Sequence, residues 1–209
     1  MNTILLVLAV VAVSIVAICI AWLWYMGFFR NVTVDMRESR EMTIINMNYT
    51  GSMQDTKKGF DDFEKKVAKL IPINQPFSWM GGAYYTTPSQ VKNPIDNKWS
   101  VFFVLDDRPE ALAAAKALPP SSEYKVITIP KTNVLFGSFP FRNPLSYMFG
   151  PMKVYPRITE YMNEHKIAPV GCIELYPYGP EDIQYIMYFD HKEIFDELQE
   201  SSFVAANEL

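Results

Sequence analysis

From Thr3 to Phe29 the chain carries no charged residue; the run ILLVLAVVAVSIVAICIAWLWYMGFF follows Thr3 and stops at Arg30. At about 1.5 Å per helical residue it reaches about 40 Å, more than the roughly 30 Å hydrocarbon thickness of a bilayer. In lipid a lone segment satisfies its own backbone groups only as a helix, so the run predicts one membrane-crossing helix. Trp22, Trp24 and Tyr25 cluster at its end, where amphipathic rings prefer the headgroup level. A secretory signal has a basic leader and an apolar core of about 7–15 residues. Here only Met1 and Asn2 precede a much longer run. The expectation is an uncleaved anchor over residues 1–30, with the lipid bilayer as first partner.

Lys and Arg near a span resist translocation. Arg30, Arg37 and Arg40 follow the run and none precedes it. This places the N-terminus in the lumen and the rest of the chain in the cytosol. Two features point the other way: the N-glycosylation sequons Asn31-Val32-Thr33 and Asn48-Tyr49-Thr50, and the last residues, Ala206-Asn207-Glu208-Leu209, loosely like a lumenal retention tetrapeptide. The cysteines favour the cytosol. Cys19 lies in the span and Cys172 is alone in the domain, so no disulfide can form within it.

Beyond the anchor, residues 31–190 suffice for one domain, and residues 191–209 are expected as a short helix or tail. A formal net charge of −4 gives no electrostatic footprint for direct nucleic-acid binding. Residues 42–50 read as a strand closed by Gly51-Ser52. An amphipathic helix follows from about Asp55 to Leu70, with Phe60, Phe63, Val67 and Leu70 on one stripe, ended by Pro72 and Pro76. Phe77–Thr87 and Trp99–Leu105 read as strands. A short helical link spans residues 108–120, and Tyr124–Ile129 alternates as a strand. The first pattern then repeats: Val134–Phe139 as a strand, and a helix within residues 147–166 carrying Val154, Ile158, Tyr161, Met162 and His165. Two strands close it, Val170–Tyr178 and Gln184–Phe189. Two strand–helix–strand–strand repeats predict an α+β fold, a curved antiparallel sheet with helices on one face and a cleft between the halves. Asp190 and Glu193 suggest a capping box for a last helix carrying Ile194, Leu198 and Val204.

Within the strand Cys172-Ile173-Glu174-Leu175-Tyr176-Pro177-Tyr178, side chains alternate. Cys172, Glu174, Tyr176 and Tyr178 share one face, and Ile173 and Leu175 are expected to face the helices. A carboxylate flanked by tyrosines suits a cationic or amphipathic aromatic ligand, with Tyr85 and Trp79 of the comparable earlier strand as further walls. The alternative is a solvated surface carboxylate. His165 and His191 have no metal-ligand spacing, no nucleophile elbow or phosphate loop is present, and no cofactor or catalytic residue is assigned. A lone buried cysteine such as Cys172 is ordinarily a small hydrophobe.

Phe195-Asp196-Glu197-Leu198 fits the aromatic-x-x-aliphatic pattern that adds as a strand to ubiquitin-like autophagy modifiers. Its rival is the last helix, with Leu198 packing inward.

Several segments in order resemble a known family: MTIINMNYTG at 42–51, GAYYTTP at 82–88, FPF at 139–141, Val154-Tyr155-Pro156 and Ile173-Glu174-Leu175-Tyr176. With the N-terminal span, they resemble the GyrI-like ligand-binding domains, and within them a membrane-anchored branch. The resemblance implies a ligand cleft faced by Glu174. It also implies an endoplasmic reticulum receptor for selective autophagy, cytosolic domain outward, that works with a hexameric AAA ATPase in clearing DNA–protein crosslinks. A third implication is hydrolysis with Glu174 as base, as in some members of the family. Members of the anchored branch carry the modifier motif on a long disordered tail, whereas about twenty residues follow Phe189 here.

Overall fold

The computed structural model describes residues 3–72, 77–85 and 91–209. Pro76, the end of the expected strand Phe77–Thr87 (Thr86 and Thr87), and Pro88 lie outside them. Helix α1 covers Thr3–Tyr25 and is long and apolar enough to cross a membrane, with mean hydropathy 3.3.

The domain follows as β1 (Val34–Glu38), β2 (Met42–Thr50), α2 (Thr56–Leu70), β3 (Trp79–Tyr84), β4 (Lys98–Val104), α3 (Pro109–Lys116) and β5 (Lys125–Ile129). It continues with β6 (Asn133–Pro140), α4 (Ser146–His165), β7 (Gly171–Pro177), β8 (Asp182–Tyr188), α5 (Lys192–Leu198) and β9 (Phe203–Ala205). Nine strands among the described residues make one curved sheet, ordered β1-β6-β8-β7-β3-β4-β2-β5, with β9 beside β2. All pairings are antiparallel except β2–β9. The two repeats are β2–α2–β3–β4 and β6–α4–β7–β8, and they join where β7 pairs β3.

One sheet face carries two clusters. Phe63 and Val67 of α2 pack on Tyr49, Trp99 and Phe103, joined by Ala111 and Ala115 of α3. Val154 and Ile158 of α4 pack on Leu135, Tyr185 and Met187. Glycines let the helices sit close: a Cβ on Gly59 would strike the Trp99 ring, and one on Gly150 would strike Tyr185. The other face buries Ile173, Leu175, Phe102 and Ile186 beneath Ile194, Phe195 and Leu198 of α5.

Three details depart from the sequence reading. Residues 34–38 form an edge strand on β6, which the charged VDMRE pattern did not announce. Val204 belongs to β9 and not to the last helix. The expected capping box does not form: Asp190 Oδ1 accepts from the His191 backbone N–H at 2.8 Å, and His191, with φ 59°, starts α5 from a left-handed conformation. His165 sits on the α4 stripe but is exposed, with its ring stacked on Tyr161.

Candidate functional site

Glu174 lies mid-strand in β7, at the seam between the two repeats. Its neighbour in β3 is Gly82 and its neighbour in β8 is Tyr185. With no side chain at Gly82, the floor beside the carboxylate is left to Tyr84, whose ring lies over that glycine. Directly opposed residues in a ladder share a face, so Tyr84 stands beside Cys172 and Met80 beside Tyr176. α2 and α4 flank this seam. Phe60 of α2 meets the Tyr176 ring edge-on at 5.7 Å, and Tyr147 of α4 meets it at 5.2 Å.

The carboxylate is 5% exposed and accepts from two phenols. Tyr155 of α4 donates to Oε1 through a very short hydrogen bond, and Tyr176 donates to Oε2 at 2.6 Å. Tyr84 and Tyr176 share a hydroxyl–hydroxyl bond at 3.0 Å. The Tyr155 hydroxyl also lies 3.3 Å from Cys172 Sγ. Tyr185 packs edge-on against Tyr155 at 5.6 Å, and its buried hydroxyl has no hydrogen-bond partner among the described residues. Among the described residues no cation pairs with Glu174. Burial pushes its pKa above the usual carboxylate value, and the Tyr155 and Tyr176 hydrogen bonds oppose that rise. Burial likewise pushes the Cys172 thiol well up, with the nearby Glu174 adding to the effect, so this is no activated thiolate. Beside Tyr155 a shallow open depression of about 760 Å³ runs along α4, with Glu160 and Glu164 on its lining.

Cys172, Glu174 and Tyr176 therefore meet at one site, while Tyr178 lies past the strand end and is exposed. The helices cover the Glu174 face, so the expectation that Ile173 and Leu175 point toward α2 and α4 is corrected: those two side chains pack against α5. Trp79 and Tyr85 are corrected with them. Both lie on the α5 face, where Arg40 stands over Trp79 and the Tyr85 hydroxyl donates to Asn48 Oδ1 at 3.3 Å. The walls the sequence reading missed are Tyr84, Tyr147, Tyr155 and Tyr185. Tyr84 lies two residues from Gly82 along β3 and so shares its face, a relation that counts only once the register sets Gly82 beside Glu174.

Solved structures share the fold. The crystal structure of the EcmrR C-terminal domain aligns with a TM-score of 0.52 at 10% identity, over 75% of this chain and 96% of that one. The fold is the GyrI-like one of that domain. The cryo-EM structure of an EcmrR–DNA complex aligns at 0.54 and 10% identity, over 84% of this chain and 64% of that one. The chain thus spans less than two thirds of that protein. SAV2435 bound to tetraphenylphosphonium aligns at 0.42 and 12% identity, over 80% of this chain and 99% of that one. No protein-family model and no curated protein matches the sequence.

The linear motif is corrected as well. Phe195 and Leu198 are 3% and 0% exposed, inside the α5 core, and only Asp196 and Glu197 face solvent. A strand-adding peptide must offer its two anchors to a partner groove, and here both already fill this domain's own core. Asn48 of the second sequon is fully buried, donating to the Leu198 and Ser201 carbonyls at 2.8 and 3.1 Å. Within the folded domain that side chain has no room for a glycan. Among the described residues no cluster of His, Cys, Asp and Glu is arranged to hold a metal ion.

Proposed function

We propose that this chain is a membrane-tethered binding module for amphipathic organic cations, with Glu174 as the counter-charge. One observation carries the reading: a buried carboxylate with no cationic partner among the described residues, set among Tyr84, Tyr147, Tyr155, Tyr176 and Phe60. Burying a charge is costly unless something compensates it, and the two phenols do so only in part. A hydrophobic cation supplies the missing charge, and the aromatic faces add cation–π attraction. In this reading α1 holds the domain on the cytosolic side of the endoplasmic reticulum membrane, in keeping with Arg30, Arg37 and Arg40 after the span.

Binding is favoured over hydrolysis. A general base must reach the water it deprotonates, and Glu174 is 5% exposed with both oxygens already accepting from phenolic hydroxyls. The test is calorimetric titration of the full chain in detergent with tetraphenylphosphonium, chosen for its charge and phenyl faces, and with an uncharged analogue of similar shape. The expected result is binding of the cation that weakens at least tenfold in Glu174→Gln, with the neutral analogue unaffected by the substitution. Equal affinity of both proteins for the cation would sink the reading.

The sequence resemblance supports a second role for the same chain, a reticulophagy receptor similar to testis-expressed protein 264 that works with an AAA ATPase. The motif Phe195-Asp196-Glu197-Leu198 would serve it only when α5 leaves the sheet. Capture of a ubiquitin-like autophagy modifier by the wild type and by Asp196→Lys/Glu197→Lys, which alters only exposed positions, tests this role. Equal or absent capture would count against it.

A further inference from the structure

Among the described residues, half of the exposed large apolar side chains beyond α1 (Phe29, Leu145, Tyr147, Met148 and Met152) lie just after α1 or in the N-terminal half of α4. α1 does not end in a free linker: Met26 is buried, Asn143 Nδ2 donates to its sulfur at 3.1 Å, and Phe28 meets Phe149 of α4 edge-on at 5.4 Å. Gly27, with φ +78°, turns the chain against Pro140, and Arg30 pairs with Asp182 at 3.3 Å. This joint holds α4 in a set position relative to the span.

Leu145, Met148, Phe149 and Met152 follow the spacing of neighbours on one helix face. Phe149 is the buried member on Phe28, while Leu145, Met148 and Met152 are 41%, 50% and 60% exposed, and Phe29 beside Phe28 is 54% exposed. The charges are sorted to match. Arg142 stands over the Tyr25 ring and Lys153 over Phe28, whereas the acids of α4, Glu160 and Glu164, come only in its second half. An apolar stripe with flanking bases, continuous with the end of a hydrophobic span, has the chemistry of an interfacial helix on anionic lipid.

We propose that the N-terminal half of α4, through Leu145, Met148 and Met152 together with Phe29, is a second membrane contact. It lies at the headgroup–acyl boundary of an anionic leaflet. Tyr147 of the same half-helix is a wall of the Glu174 site and is 45% exposed, so this contact sets that wall beside the lipid. This inference rests on α1 being a membrane span.

The test is spin labelling of the full chain in vesicles of phosphatidylcholine and phosphatidylserine, in a Cys19→Ala background, with Cys172 buried. Labels at Met148→Cys and Met152→Cys are compared with Val11→Cys in α1 and Asn163→Cys at the far end of α4. The expected result is that the Met148, Met152 and Val11 labels collide more with oxygen than with a water-soluble nickel chelate, and the Asn163 label the reverse. Met148 and Met152 labels that behave like Asn163 while Val11 lies in lipid would overturn this contact alone. A Val11 label in water would overturn the span, and this contact with it.

Discussion

Gly82 stands directly opposite Glu174 in the ladder that joins β3 to β7. The carboxylate of one repeat thus faces the missing side chain of the other, and the place of that side chain is floored by Tyr84, whose hydroxyl bonds that of Tyr176. Pairing a long acidic side chain with a glycine is how the seam accommodates a buried carboxylate beside the Tyr84 ring.

Filling that space should separate binding from folding. A Cβ at Gly82 would lie 3.2 Å from the Tyr84 hydroxyl, a contact that a small shift of the ring relieves. Gly82→Leu is expected to abolish tetraphenylphosphonium binding and cost about 1–3 kcal/mol of stability. At Gly81 a Cβ would meet the Glu174 backbone oxygen at 2.6 Å, which cannot yield, so Gly81→Ala should cost more although it adds less. Thermal unfolding in detergent with parallel titrations checks both.

Stability should carry a pH signature of Glu174. Its pKa is raised in the folded state, chiefly by burial. The native protein therefore holds this proton to higher pH than the unfolded chain does. The contribution is complete below the ordinary carboxylate value and is lost as pH rises through the folded value. Relative to Glu174→Gln, the wild type should lose stability across that window on going up in pH. A difference between the two that stays flat from acid to neutral pH would contradict the burial.

The phenols hold that pKa down. Tyr155→Phe and Tyr176→Phe each remove a hydroxyl that donates to the carboxylate, and a hydrogen bond to a charged group contributes about 1.5–3 kcal/mol net. Each variant should move the Glu174 titration further up, as seen in the carboxyl infrared band, and weaken cation binding. No movement in either variant would mean that the hydroxyls do not act on the charged form.

The α5 anchors should behave as core. Phe195→Ala is expected to cost about 3–5 kcal/mol and Leu198→Ala about 2–5 kcal/mol, because both side chains are packed against β7 and β8. Unchanged unfolding temperatures would show that α5 is detached and free to serve as a peptide motif.

The doubled strand–helix–strand–strand order was legible because Phe63 and Val67, and later Val154 and Ile158, repeat at helical spacing between alternating strands. Glu174 was legible too, as a carboxylate between tyrosines. Which residues surround it was not. A strand read alone gives parity but no register, and one residue separates Tyr84, which joins the site, from Tyr85, which packs on the opposite face. Tyr155 reads in sequence as part of a helix, and its approach to Glu174 depends on where α4 crosses the sheet. Gly137 and Gly150 set that crossing by admitting Val154 and Tyr185. The Phe195 motif matched a pattern of residue types, and pattern alone carries no information about burial.

The most direct measurement is the affinity for tetraphenylphosphonium as a function of pH, for the wild type and Glu174→Gln side by side. Binding to the wild type is predicted to strengthen as pH rises and Glu174 ionises, and the Gln variant is predicted to stay weak and flat. Superimposable curves for the two proteins would contradict a binding site built around this carboxylate.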